Sequence, residues 1–498
     1  HPAYQMSYRN LATLKIVQKD YDNAESMLLQ SAEFYKRFDK SYDYPVVYRS
    51  LGNLAMASGN SKRVVQYWTE YATLTNRFLA YGLPFLSEKE KTELYANIQD
   101  DYQAMYSVLL SPQLPDSSRR RFIGLVWDKE LFTKGMLLRS VRQTRQSLES
   151  SRDTVAFKTY KDWLDIRNTL ARHYNSISSP KIKTDSLEFV ANQLEKTLAV
   201  RFQSDQHLQP HIRWQQVRQR LKLREAVVTI TRFNRFSFDS VRATNQFCYI
   251  ALVMRPESQH PELVLLQNGN DLEGRYLEAY RNDLRNQTYE ADAYQWFWQP
   301  IAEKLRGVKT VYLSADGVYH QIALGALRNP ATGRSLSDEL DLRLLNSTRE
   351  LLVPAPLPAK GSIALFGFPD YEQATTPKLA RSETAEKTPR YAPDTERGHE
   401  CTPLPGTKAE VESVRDMAAG KRLPVQVYLA ADATEESVKS LASPRVLHLA
   451  THGYFEVDAA QTAANPMLRS GLLLAGAKRT LDRKDTMSLT NQAEDGVL

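Results

Sequence analysis

The first 80 residues contain an internal repetition that restricts the chain to a small set of folds. Leu11 and Ala24 recur 40 residues later as Leu51 and Val64. Within each copy, apolar and small residues follow the three- and four-residue spacing of one helix face. Gly59 falls where the chain would turn between the two helices of the second copy. The repetition predicts stacked pairs of helices, because one pair cannot bury its own apolar face.

This pattern resembles the paired helices of tetratricopeptide repeats, although its period is longer than their usual length of about 34 residues. Gly52 stands where two of the helices could approach each other closely. The resemblance implies a concave groove that holds peptide segments of a regulatory protein partner. We therefore assign residues 1–110 to TPR-like helical repeats.

Residues 111–225 keep helical spacing and are predicted to form a basic helical connecting region. Between residues 119 and 225 there are 22 Lys and Arg against 11 Asp and Glu, an excess of +11, whereas the whole chain has a net charge of +7. Such a segment could bind nucleic acid or an acidic protein, or could be a solvated helical face. A salt-dependent affinity for RNA would distinguish the first of these interpretations.

The character of the chain changes near residue 226. Runs of β-branched and aromatic residues then alternate with helical segments, as in EAVVTITRF, SIALFGFP and RVLHLATHG. This alternation predicts an α/β sandwich with a mostly parallel sheet over residues 226–498. Within it, KTVYLSADGVYHQIALGAL is expected to form two strands joined by a turn at Asp316 and Gly317.

Composition argues against several classes of protein. The chain has no window of 18 apolar residues, so we predict no membrane span and no membrane partner. Cys248 and Cys401 are too few for a disulfide framework and favour a reducing cytoplasm. A nucleotide-dependent enzyme is not favoured, because PGTKAE lacks the first glycine of a phosphate loop and no dinucleotide-binding glycine pattern follows a strand.

His452 follows the apolar strand VLHLAT, and α/β folds bind their ligands at the carboxyl ends of strands. A neutral imidazole suits general-base catalysis, and the backbone N–H of Gly453 could donate to an oxyanion. A strand-end histidine more often has a structural role, so the residues alone leave both roles open. His448 lies four positions earlier on a strand and not on a helix, so we expect no metal site and interpret His448 as a buried, hydrogen-bonded residue.

Taken in order, these segments resemble the CHAT domain, a caspase-like cysteine protease domain associated with tetratricopeptide repeats. The resemblance implies a Cys–His dyad of the caspase and separase clan that needs no cofactor. His452 would be the general base and Gly453 part of the oxyanion hole. An acidic pocket for a basic substrate residue is also implied, and Asp316 and Asp495 are candidate contributors, although both lie in Asp-Gly turns. The matching stretches span roughly residues 130–498 and are YLSADGVYHQIALGAL, LFGFPDY, LPGTKAEVESV, VLHLATHGYF, NPMLRSGLLLAGA and EDGVL.

The same resemblance places the nucleophile in a Ser-x-Cys-x-Thr-Gly-like segment beyond Leu498. Cys248, expected in a buried strand, and Cys401, expected at the end of a polar loop, lack the family's flanking residues. The implied function is a regulated endopeptidase that cuts a protein substrate in the bacterial cytoplasm. A partner or an RNA-guided complex would activate it, in defence or cell-death signalling. The alternative is an inactive scaffold or sensor that binds such partners.

Overall fold

The computed structural model describes residues 2–38, 41–175, 184–202, 212–266, 268–286, 288, 292–353, 361–372, 401–455 and 470–478. The chain divides into two compact units. The first unit contains residues 1–157 and 195–354, and the second contains residues 158–194 and 355–498. Within the described ranges, no helix combines the length and apolar character needed to cross a membrane. The domain boundaries at residues 110 and 225 stay predictions.

Helices make up most of the described chain before residue 219. The predicted N-terminal helical region is therefore confirmed. Its helices are α1 (Pro2–Val17), α2 (Tyr21–Tyr35), α3 (Asp43–Ala57), α4 (Ser61–Gly82), α5 (Glu88–Val108), α6 (Asp116–Thr133), α7 (Met136–Ser150), α8 (Thr154–Asn175), α9 (Thr184–Arg201) and α10 (Trp214–Arg218).

The 40-residue repetition is also a structural period. Lys19 and Gly59, 40 positions apart, both have positive φ, at 62° and 72°, and each turns the chain between two helices. Asn60 caps α4 by accepting a hydrogen bond from a backbone N–H of its first turn. Gly52 lets α3 meet α4, since a Cβ atom there would lie 2.6 Å from Nε1 of Trp68. Paired helices with a close approach at Gly52 are thus confirmed, while the specific likeness to tetratricopeptide repeats stays a prediction.

A five-stranded mixed sheet lies in the first unit. Its strands are β1 (Glu225–Ser237), β2 (Arg242–Met254), β3 (Glu262–Leu265), β4 (Thr310–Ser314) and β5 (Asp341–Leu344). They are arranged in the order β3-β2-β1-β4-β5, with β1, β4 and β5 parallel and β2 antiparallel to both of its neighbours. Val227 and Leu252 pack into the core formed with the helices, whereas Val228 and Ala251 pack into a second core. The apolar runs of β1 and β2 are continuous because both faces of the sheet are buried there.

The chain after β4 departs from the expected strand pair. Gly317–His320 and Leu324–Ala326 form 3-10 turns in place of a second strand. Side chains bind the backbone groups that a strand would need: Asp316 accepts from the N–H of Gly317, and the hydroxyl of Tyr249 accepts from the N–H of Val318, both at 2.9 Å. The remaining helices of this unit are α11 (Gly269–Asp271), α12 (Leu277–Asn286), α13 (Asp292–Phe297), α14 (Gln299–Ala302) and α15 (Leu336–Glu339).

The second unit contains a parallel sheet of β6 (Ile363–Pro369), β7 (Val425–Ala430) and β8 (Val446–Ala450), in the order β7-β6-β8. Helices α16 (Pro405–Gly420) and α17 (Glu435–Lys439) cover its faces. Leu365 packs with α16 and Phe366 packs on the side of α17. A short antiparallel pair follows, β9 (Gly453–Phe455) and β10 (Ser470–Leu472). The predicted α/β region is confirmed, with a parallel sheet here and a mixed sheet in the first unit.

Candidate active site

His452 lies just beyond the carboxyl end of β8 and just before β9. Because β6, β7 and β8 are parallel, their carboxyl ends meet at one edge of the sheet, which is where α/β folds place their ligands. The residue is partly exposed, so a substrate can reach its side chain. The position of His452 therefore agrees with the expectation from the sequence.

A backbone carbonyl orients the imidazole of His452. Its Nε2 atom lies 2.8 Å from the carbonyl oxygen of Thr402. A carbonyl oxygen can only accept a hydrogen bond, so Nε2 carries the proton and the neutral ring keeps its lone pair on Nδ1. No hydrogen bond from the described part of the chain occupies Nδ1. Nδ1 is thus the atom that can take a proton from a nucleophile.

Tyr371 forms a wall beside this imidazole, with its ring centroid 5.6 Å from that of His452. The hydroxyl of Thr451 donates to the carbonyl of Leu473, so the hydroxyl of Tyr371, 2.9 Å from Oγ1 of Thr451, must be the donor of that pair. Burial raises the pKa of Tyr371, which keeps this donor protonated. The N–H of Leu473 also donates to the carbonyl of His452 at 2.9 Å. Both the ring and the backbone of His452 are therefore held in place.

The backbone N–H of Gly453 points away from its partner strand. Residue 453 lies opposite Leu472, and the neighbouring pair, His452 and Leu473, is joined by the bond from the N–H of Leu473. Hydrogen-bonded and non-hydrogen-bonded pairs alternate along antiparallel strands, so Gly453 and Leu472 form a non-hydrogen-bonded pair. The N–H of Gly453 is therefore directed to the side of β9 opposite β10, where it can donate to a ligand.

The segment before α16 borders this site, which the sequence did not indicate. Cys401 is buried beside Thr402 and packs with Tyr371, Leu473 and Ala477. Thr402 and His452 are 50 positions apart, and the contact uses a backbone carbonyl, so no pattern of side chains in the sequence predicts it. Residues 371 and 401 also lie near the two ends of the polar stretch 370–403, and most of that stretch falls outside the described residues.

The other thiol lies elsewhere. Cys248 is partly buried in β2 of the first unit, opposite Phe233. Burial raises the pKa of Cys248, which lowers its thiolate fraction and its reactivity. The structure therefore gives Cys248 the character of a structural strand residue.

Asp316 lies at the end of β4 in the first unit, and His452 lies in the second. Its Oδ1 accepts from the N–H of Gly317 and its Oδ2 from the N–H of Arg232, both at 2.9 Å. Both carboxylate oxygens thus already bind backbone groups of the first unit. A substrate-binding role for Asp316 stays a prediction, as it does for Asp495, which lies outside the described residues.

His448 lies inside β8 and faces α16, with Nε2 3.0 Å from Oε1 of Glu410. The residue is only partly buried, and this contact has an ion-pair distance without hydrogen-bond geometry, in contrast to the expected buried hydrogen bond. Within the described ranges, no group of three or more His, Cys, Asp or Glu side chains is arranged to hold a metal ion.

A family model of caspase-like peptidases matches the later part of the α/β region. The match spans residues 288–497 and is to the CHAT domain, so the chain carries a CHAT domain over those residues. His452 and the parallel sheet of the second unit lie inside this span. The resemblance seen in the sequence is confirmed there, and its extension back to residue 130 stays a prediction. No curated protein matches the chain.

Proposed function

We propose that this protein is a cysteine endopeptidase in which His452 is the general base. The observation that carries the proposal is the hydrogen bond of 2.8 Å from Nε2 of His452 to the carbonyl of Thr402, inside the CHAT domain. This bond leaves Nδ1 as the proton acceptor for a thiol. The proposed nucleophile is the cysteine that the CHAT resemblance implies in a Ser-x-Cys-x-Thr-Gly-like segment.

In the proposed reaction, the thiol gives its proton to Nδ1 of His452 while its sulfur attacks the scissile carbonyl. A C–S bond forms, and the N–H of Gly453 donates to the resulting oxyanion. His452 then returns the proton to the leaving amine as the C–N bond breaks. Water attacks the thioester with His452 again acting as base, which releases the acid product and restores the thiol. No cofactor takes part.

The proposal includes regulation by a protein partner bound to the helices of residues 1–110, with a protein as the substrate. A nucleic-acid trigger at residues 119–225 has less support, because part of the positive charge there is used inside the fold. Arg119 donates to the carbonyls of Leu109 and Ser111, and Lys129 is buried beside Glu130. Bacterial cytoplasm and a role in defence or cell death belong to the same proposal.

The test is cleavage of a proteome-derived peptide library by the full-length protein, with new N-termini read by mass spectrometry. His452→Ala is expected to lower kcat/KM by about 10²- to 10⁴-fold, the usual contribution of a general base. Cys401→Ala is the matched control and is expected to retain cleavage. Cleavage that survives His452→Ala would refute the assignment of the base, and cleavage lost in Cys401→Ala would refute the proposed nucleophile. If the wild type with candidate partners cuts nothing, the scaffold alternative replaces the peptidase.

A further inference from the structure

A cavity of about 370 Å³ lies between α1, α3 and α5 of the first unit. This volume falls within the range of about 300–1,000 Å³ typical of small-ligand sites. Asn10 on α1, Arg49 and Asn53 on α3, and Asp100 on α5 line it. None of these residues belongs to the site around His452, so the cavity has no role in the proposed chemistry.

Two buried groups in this cavity lack hydrogen-bond partners. Asn53 is only 4% exposed, yet its Oδ1 accepts no hydrogen bond from any described residue. Nε of Arg49 is also buried, and no acceptor for it exists in the described part of the chain. Native proteins satisfy nearly all such groups, so an acceptor and a donor left without partners in one cavity point to a ligand that supplies both.

The spacing of the two groups matches a polypeptide backbone. Arg49 and Asn53 are four positions apart on α3, so their side chains are neighbours on one face of the helix. A residue in extended conformation presents its N–H and its C=O to the same side, as in each hydrogen-bonded pair of an antiparallel sheet. One extended residue can therefore donate to Oδ1 of Asn53 and accept from Nε of Arg49.

The charges of the lining favour a cation. The guanidinium of Arg49 pairs with Asp101, whose other carboxylate oxygen accepts from the hydroxyl of Tyr42. Asp100, next to it on α5, is exposed and forms no ion pair within the described ranges. Two carboxylates against one guanidinium leave the cavity with a net charge of −1. A Lys or Arg side chain would neutralise this charge at Asp100.

The cavity also touches the β1–β2 hairpin, because Phe236 and Val241 form part of its lining. The N–H of Phe236 donates to Oγ of Ser107 at 2.7 Å, which anchors the hairpin to α5. Val241 has φ 51°, a strained conformation for a β-branched residue. A ligand in the cavity would therefore contact the helical pairs and the first-unit sheet at once.

We propose that this cavity binds an extended polypeptide segment through its backbone, at Asn53 and Arg49, and through one Lys or Arg side chain, at Asp100. The inference rests on the part of the proposed function that gives these helices a protein partner, and it adds the chemistry of the bound segment. Contact with Phe236 and Val241 gives that segment a direct route to β1 and β2.

The test compares three blocked pentapeptides, Ala-Ala-Arg-Ala-Ala, Ala-Ala-Gln-Ala-Ala and Ala-Ala-Glu-Ala-Ala, whose binding to the full chain is measured by saturation-transfer NMR and calorimetry. We expect the arginine peptide to bind at least fivefold more tightly than the glutamine peptide, and the glutamate peptide to bind most weakly. Asp100→Asn is expected to abolish this preference, whereas Glu93→Gln, the same charge change elsewhere on α5, retains it. Asn53→Ala is expected to weaken all three peptides.

The inference would be overturned if the arginine peptide did not bind at 10 mM, or if the arginine and glutamate peptides bound equally well. It would also be overturned if Asp100→Asn kept the preference for the arginine peptide, or if a uridine oligonucleotide bound more tightly than any peptide. Thermal unfolding of each variant identifies any loss of binding that comes from loss of folding. The readout is binding and not cleavage, so it fails or succeeds separately from the peptidase assignment.

Discussion

Lys129 and Glu130 form a buried ion pair in the first unit, with Nζ 3.1 Å from Oε1 and each side chain 3% exposed. Glu130 also accepts from the hydroxyl of Tyr106, and the ammonium of Lys129 lies 4.0 Å from the ring centroid of Tyr102. Burial favours a raised pKa for Glu130, but Lys129 and Lys134 outweigh it and hold the pKa below its ordinary 4.5. This network joins α5 to α6.

Glu130→Gln is expected to lower the free energy of unfolding of the first unit by about 3–5 kcal/mol, because it leaves the ammonium of Lys129 buried without a counter-charge. Urea unfolding followed by tryptophan fluorescence measures the change. Glu149→Gln is the control, since Glu149 and Arg145 form a pair that is 60% and 67% exposed, and it should change stability little. Equal losses in the two variants would contradict a special role for the buried pair.

Because of the same ion pair, the free energy of unfolding is expected to depend on pH. The pKa of Glu130 is lowered on folding, so its contribution is present above the unfolded pKa and disappears as the pH falls through the lower folded pKa. The stability gap between wild type and Glu130→Gln should therefore be widest near neutral pH and should narrow as the pH falls below about 4.5, the ordinary pKa of Glu. Thermal unfolding of both proteins at several pH values between 7 and 3.5 measures the gap. A constant gap would exclude this linkage.

A substitution at Gly52 tests the packing of the helical pairs. A Cβ atom at this position would lie 2.6 Å from Nε1 of Trp68, so Gly52→Ala is expected to separate α3 from α4 and to cost about 1–3 kcal/mol of stability. Gly82→Ala is the control, because Gly82 ends α4 in a helical conformation with open space around it. That change should be neutral or slightly stabilising. Chemical unfolding followed by far-UV circular dichroism measures the stability of both variants. If the contact between Gly52 and Trp68 were unimportant, the two substitutions would have the same small effect.

The features that could be predicted from the sequence are those encoded locally. The helix spacing around Ala24 and Val64 and the turn at Gly59 depend on residues within one or two turns of each other, and the structure has both. The strand before His452 is likewise predicted by its run of apolar residues. The CHAT resemblance could be recognised because its motifs follow one another in order.

Other features depend on contacts between distant residues. Tyr249 supplies its hydroxyl to Val318 across 69 positions and thereby replaces an expected strand with a 3-10 turn. Every residue has a backbone carbonyl, so the residue type at position 402 does not indicate the hydrogen bond that orients His452. The grouping of residues 158–194 with 355–498 is also a product of long-range contacts.

Gly367 controls the fit between β6 and α16. A Cβ atom there would lie 2.6 Å from Cγ2 of Val411 and 2.9 Å from the carbonyl oxygen of Thr407, so Gly367→Ala must displace α16. We expect a loss of about 1–3 kcal/mol in the second unit. Cleavage should also fall, because Thr402, which orients His452, lies three residues before α16.

The control for this change is Gly406→Ala in the first turn of α16, where the new methyl group meets open space. It should preserve both stability and cleavage. Differential scanning calorimetry and the peptide-library assay measure the two properties. If Gly367→Ala and Gly406→Ala had the same stability and the same cleavage, the close packing of β6 on α16 would not contribute to stability.

Tyr371 is expected to position His452 through its ring more than through its hydroxyl. Tyr371→Phe removes the hydrogen bond to Thr451 but keeps the wall beside the imidazole, so kcat should stay within about fivefold of wild type, in line with the loss of a hydrogen bond of about 0.5–1 kcal/mol. Tyr371→Ala removes the wall, and the freed imidazole should lower kcat by about 10- to 100-fold, as misplacement by about 1 Å does. KM should change little in both variants, because neither change removes a proposed contact with the substrate. Steady-state cleavage over a range of peptide concentrations measures kcat and KM separately, and equal kcat values for the two variants would show that the ring does not position His452.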